Sequence, residues 1–171
     1  MRVTKMAIAV LSNINMNFVI RLLQKETEVY EAEGYGNELG ILMNPGSTYH
    51  AFGADTTFLV MDLLELLEHD LESTTAGEKI DDWFGALESA LKREHTYYIS
   101  DAYLWGFEID ALHETGKKQE LEQLWQSRLK ECCKAHGNVH ILPYRRMLEK
   151  LGENNAFSPK MWYMGKILLS S

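Results

Sequence analysis

The stretch that most constrains this chain is "KMAIAVL", residues 5 to 11, whose apolar core Met6 to Leu11 runs without a polar interruption. A run of that length matches a strand buried on both faces, because a half-exposed strand would alternate. The pattern recurs in "TTFLVMDLL" (56–64) and "TYYISDA" (96–102). "TEVYEA" (27–32) alternates like a strand nearer an edge, and "NVHILP" (138–143) makes a fifth. Helical periods separate these runs. "NMNFVIRLLQKE" (15–26) spaces Phe18, Val19, Leu22 and Leu23 near one face, and "EKIDDWFGALESALKRE" (78–94) sets Ile80, Trp83, Phe84, Leu87 and Leu91 on one stripe. "KKQELEQLWQSRLKECCKAHG" (117–137) turns Leu121, Leu124, Trp125 and Leu129 inward and stops at Gly137, and "RRMLEKLG" (145–152) is a last helix.

Five strands alternating with helices predict parallel β-α-β units with right-handed crossovers. The expected fold is α/β, a single domain over residues 1–171 built as a three-layer, doubly wound parallel five-stranded sheet in the order 2-1-3-4-5. Such sheets bind ligands at the carboxyl ends of their strands, beside the switch point. The residues expected there are Ser12 and Asn13 after the first strand, Gly34, Gly36 and Asn37 after the second, Asp62 after the third, and Ser100 with Asp101 after the fourth. Residues 33–47 hold four of the twelve glycines and Pro45, and read as a long loop with one helical turn inside.

Composition closes off several function classes. The formal net charge is -8 with no dense Lys/Arg run, which argues against a grip on nucleic-acid backbones. The longest apolar run is too short to span a membrane and too short for a signal segment, so a cytoplasmic protein is expected. Cys132 and Cys133 are adjacent in a helical stretch. Neighbours rarely bridge each other, so reduced thiols are expected, and this spacing alone offers too few soft ligands for zinc. No cofactor is expected: the turn after the first strand lacks the glycines of a dinucleotide fingerprint, and no Gly-Lys-Ser/Thr phosphate loop occurs. The acidic segment "ELLEHDLE" (65–72) reads as a solvated face.

Two chemistries compete for the crevice, each beside a purely structural role. Ser12, at the tip of a buried strand before a helix, suits a nucleophile provided a base lies within reach; it equally suits a helix cap. His140 is the one histidine inside an expected strand near its carboxyl end, hence the best available base. Asp62 and Asp101 follow buried strands and could hold a cation, or simply end the strand in solvent.

The order of these features resembles a known pattern. Leu11-Ser12-Asn13, the glycine loop, and "NPGSTYHAFGADTTFLVMDLLELL" (44–67), with Pro45, Ser47, Tyr49, Phe52, Asp55, Asp62 and Leu63 in place, look like the amino-terminal SGNH-hydrolase-like domain of FkbH-type proteins of the HAD-IIIC class. The closing "SPKMWYMGKILLSS" (158–171) resembles that family's end segment. The resemblance implies the doubly wound fold and lets Ser12 be tested. Ser12 matches the first SGNH block, and Gly34 or Gly36 matches the oxyanion glycine of the second. The third block, Gly-x-Asn-Asp, is replaced by Met61-Asp62-Leu63-Leu64, and the fourth, Asp-x-x-His, by Ser158-Pro159-Lys160-Met161. An oxyanion donor is worth roughly 10²–10³ in rate and the base activates the serine, so the resemblance implies a remnant elbow rather than a working one.

In such proteins the domain precedes a HAD-like phosphatase domain that handles a phosphorylated three-carbon acid and passes the acyl group to an acyl carrier protein, in the manner of polyketide biosynthesis. The HAD Asp-x-Asp-x-Thr run does not occur in this chain. The resemblance therefore implies a non-catalytic binding or docking domain, with a HAD-like phosphatase domain and an acyl carrier protein as partners. The alternative is a serine esterase using Ser12 with His140. Residues 162–169, dense in apolar side chains, are expected to seal the sheet or to meet a partner, including a second copy of the chain.

Overall fold

The computed structural model describes residues 6–71, 73–102, 104, 115–152 and 164. The five expected strands are β1 (Ala7–Ser12), β2 (Glu28–Tyr30), β3 (Thr56–Val60), β4 (Thr96–Ser100) and β5 (Val139–Leu142). They form one sheet in the order β2-β1-β3-β4-β5, and every pairing is parallel. The fold class read from the sequence is the one observed.

The helices are α1 (Asn17–Leu23), α2 (Glu38–Met43), α3 (Thr48–Phe52), α4 (Leu63–Leu66), α5 (Ala76–Ala90), α6 (Thr115–Ala135) and α7 (Tyr144–Leu151). Two apolar clusters show how they divide. On one face of the sheet Leu42, Tyr49, Leu63, Ile80, Trp83, Phe84, Leu121, Trp125 and Leu129 from α2 to α6 pack over Leu11, Leu59 and Ile99. On the other, Ile20 of α1 and Tyr144 and Leu148 of α7 pack over Ile8, Val10 and Val60. Apolar side chains cover both sheet faces, as the uninterrupted strand runs require. Trp83, Phe84 and Trp125 meet with ring centroids 4.8 to 5.0 Å apart, so the α5–α6 seam is aromatic.

The stripes expected on α5 and α6 are the faces that bury. The α1 stripe buries only in part: Val19 and Leu23 are partly buried against the second cluster. Ile20 carries the burial there, while Phe18 and Leu22 are exposed at 44% and 45%. A seven-residue helix at the sheet's flank presents less than two turns to the core, so its spacing alone did not select the inward face. The loop expected over 33–47 with one helical turn inside holds the six-residue α2, and α3 starts just after it at Thr48. The expectations for 158–171 fall almost entirely outside the described residues; Met164, within them, is exposed. Among the described residues no helix is long and apolar enough to cross a membrane.

Candidate functional site

The carboxyl ends of the strands are held by side chains bonding to neighbouring backbone. Ser12 closes β1 opposite Val60 of β3. Its hydroxyl donates to the Val60 carbonyl and accepts the Ile14 amide at 3.2 Å, and the residue is 8% exposed. Its own carbonyl accepts the Gly36 amide at 3.0 Å, which hooks the loop after β2 onto the tip of β1. That loop turns through Gly34 and Gly36 at φ 87° and 83°, where a side chain would be strained.

Asn13 follows, its carboxamide bonded twice to the backbone of Asp62. Asp62 is itself buried and accepts the Glu65 amide at 2.9 Å through Oδ1, starting α4. The alternative in which this aspartate ends its strand in solvent is corrected: the Asn13 clasp and the α4 cap draw it inward. Ser100 is fully buried, accepting the Met61 amide at 2.8 Å through its hydroxyl and the Trp125 indole N–H at 3.0 Å through its carbonyl. Asp101 accepts the Arg145 amide at 2.7 Å at the start of α7. Burial raises the Asp101 carboxyl above the ordinary carboxylate range, against the pull of that amide and of the Arg145 charge.

The structure thus gathers the expected residues at one end of the sheet, but only some line a common cavity. Ser12, Gly34, Asn37 and Glu38 share a cavity of about 20 Å³ walled by Val10, Ile14 and Ile20. That volume suits one water molecule, not an acyl chain. Asn13, Asp62, Ser100 and Asp101 lie outside its lining.

Glu38 is the residue that sequence reasoning missed. It is 6% exposed; Oε1 accepts the Trp83 indole N–H at 3.1 Å. Its other oxygen, Oε2, is buried and has no hydrogen-bond partner among the described residues. A glutamate in the first turn of a helix is ordinarily a surface residue favoured by the helix dipole. Nothing local distinguishes Glu38 from that common case, because its burial is produced by Trp83 arriving from α5.

His140 does not serve Ser12. It lies exposed on β5, with its ring centroid 5.2 Å from that of Tyr98. Between β5 and β1 stand β4 and β3, so three strand spacings put the two residues about 14 Å apart across the sheet. The register adds a further offset: Ser100 pairs with Leu142, and His140 sits two residues earlier. The other described imidazoles are engaged elsewhere. His50 bonds the Leu42 carbonyl, His69 pairs with Glu65, and His136 faces Glu88. His95 meets Thr57 at 2.7 Å and Tyr49 at 3.3 Å, near the start of β3 and so toward the opposite end of the sheet. Burial holds the His95 imidazole below its ordinary value and pushes the Tyr49 phenol up to about 12.

Two solved structures are similar to this chain. The N-terminal part of the protein BF1531 from Bacteroides fragilis, described as containing a phosphatase domain complexed with Mg, matches with a TM-score of 0.77 at 19% identity. The match covers 97% of this chain and 47% of that one, so the chain spans about half the length of that structure. The C-terminal catalytic domain of the Streptococcus pneumoniae peptidoglycan O-acetyltransferase OatA, solved with a methylsulfonyl adduct, matches with a TM-score of 0.55 at 9% identity, over 96% of this chain and 79% of that one. The likeness is one of fold. No protein family and no curated protein matches the sequence.

Proposed function

We propose that this chain is a non-catalytic, SGNH-hydrolase-like binding or docking domain that works beside a HAD-like phosphatase domain in an FkbH-type system loading an acyl carrier protein. One observation carries the non-catalytic half: the Ser12 hydroxyl donates its proton to the Val60 carbonyl and accepts the Ile14 amide on one lone pair. A peptide carbonyl is not a base, and a serine without one is a poor nucleophile. The cavity beside it, about 20 Å³, leaves no room for an ester substrate. The partner half is supported by the likeness to a structure that contains a phosphatase domain in the same chain.

The runner-up is a serine acyl hydrolase. It draws on the buried Glu38 carboxylate, which lines the same cavity as Ser12 and could accept its proton after a rearrangement. One pair of experiments separates the two. Wild type, Ser12→Ala and Glu38→Gln should hydrolyse a panel of nitrophenyl esters at the same background rate. The wild-type chain should co-migrate in size-exclusion chromatography with an FkbH-type phosphatase domain. Turnover that disappears in both variants would establish the hydrolase instead.

A further inference from the structure

The second chemistry-bearing cluster lies far from the crevice, on the packed pair α5 and α6. Glu88 projects from the last turn of α5, Cys132 from the last turn of α6, and His136 from the residue just beyond it. The His136 amide bonds the Cys132 carbonyl at 2.9 Å, so the helical turn continues and the two side chains stand four residues apart on one face. The three donor atoms, one oxygen, one sulfur and one nitrogen, all lie within 4.8 Å of one another. Glu88 Oε1 and His136 Nε2 are 3.8 Å apart.

We propose that Glu88, Cys132 and His136 form a zinc-class divalent metal site that clasps α5 to α6, with solvent in the fourth position. Tetrahedral bonds of about 2.0 Å to nitrogen and oxygen and 2.3 Å to sulfur give donor separations of roughly 3.3–3.5 Å, within small side-chain rotations of those seen. A mixed thiolate, imidazole and carboxylate set selects zinc or cobalt over magnesium or calcium, which take oxygen alone. Charge also balances: one thiolate and one carboxylate neutralise a divalent ion. Cys132 is buried, whereas Glu88 and His136 are partly open to solvent, which leaves an entry path and a position for water. Burial, with Glu88 and Cys133 nearby, pushes the metal-free Cys132 thiol up to about 12. A thiol coordinates as the thiolate, so metal binding releases its proton.

The adjacent Cys133 supplies the internal control. The full chain, reduced with a phosphine, is titrated with Co²⁺, and zinc affinity is measured by competition with a chromophoric chelator. Expected are a thiolate-to-cobalt charge-transfer band, visible bands of a tetrahedral centre, and a melting temperature that rises with added zinc. Cys132→Ser removes the charge-transfer band, and Glu88→Gln and His136→Gln each weaken zinc binding by more than about tenfold; Cys133→Ser changes none of these. Absence of the band in wild type would overturn the site. So would a band that survives Cys132→Ser but not Cys133→Ser, or zinc affinity unmoved by both Glu88→Gln and His136→Gln. The last two variants alter solvent-accessible side chains, so they decide the matter even where Cys132→Ser does not fold.

Discussion

The carboxamide of Asn13 closes a pair of 2.8 Å hydrogen bonds on the backbone of Asp62, donating through Nδ2 to its carbonyl and accepting its amide through Oδ1. The β1–β3 ladder ends at Ser12 and Val60, and this clasp continues it by two further bonds. The side chain takes over where the main chain of β1 turns away toward α1.

Removing that clasp should therefore cost more than an ordinary surface substitution. Asn13→Ala leaves the buried Asp62 amide without its partner, while the Asp62 carbonyl keeps the Leu66 amide at 3.2 Å, and the expected loss is about 1–3 kcal/mol. Urea unfolding reads this as a lower midpoint at an unchanged slope. A loss below about 0.5 kcal/mol would mean that water replaces the carboxamide.

Glu38 predicts a change of opposite sign. Its Oε2 is buried without a partner among the described residues, while Oε1 is bonded to Trp83. Glu38→Gln can keep the Trp83 bond and removes a buried charge, so thermal unfolding should show a gain of about 1 kcal/mol. Glu38→Ala loses the Trp83 bond as well and should destabilise.

His95 predicts a pH limb. Its folded imidazole is held below the ordinary value, first by burial and then by the Lys92 charge. The unfolded chain thus binds the proton first as pH falls through about 6.5. The His95 contribution is fully present above that pH and is lost as pH drops toward the folded value. Stability measured from pH 8 to 5 should fall more steeply for wild type than for His95→Gln. Parallel curves would remove His95 from the account.

Asp101 works in the other direction. Burial raises its carboxyl, so the folded chain takes up the proton at higher pH than the unfolded one, whose value is about 3.9. Falling pH through that window relieves a buried charge and adds stability. Asp101→Asn keeps an oxygen for the Arg145 amide, should be no less stable than wild type near neutrality, and should lack the acid-side gain. Asp101→Ala loses the bond to the first turn of α7, about 1 kcal/mol near neutrality, and falls further behind wild type on the acid side, where it too lacks the gain. Chemical denaturation at a series of pH values distinguishes all three chains.

The sheet was legible in the amino-acid pattern. Uninterrupted runs such as Met6 to Leu11 and the segment from Thr56 to Val60 can be satisfied only by strands covered on both faces, and the helical stripes between them supply the cover. Strand count, order and the end of the sheet where Ser12, Asp62 and Asp101 gather all follow from local periodicity and the handedness of crossovers. The contacts those residues make were set by packing between distant segments. Whether Ser12 faces a base depends on which strands separate it from His140, and β3 and β4 stand between them. Glu38 became a buried acid because Trp83, 45 residues away, reaches it from α5. Glu88 met Cys132 and His136 because α5 packs on α6. Periodicity constrains the face on which a side chain lies; its partner from a distant segment is set by packing, which no local window of sequence contains.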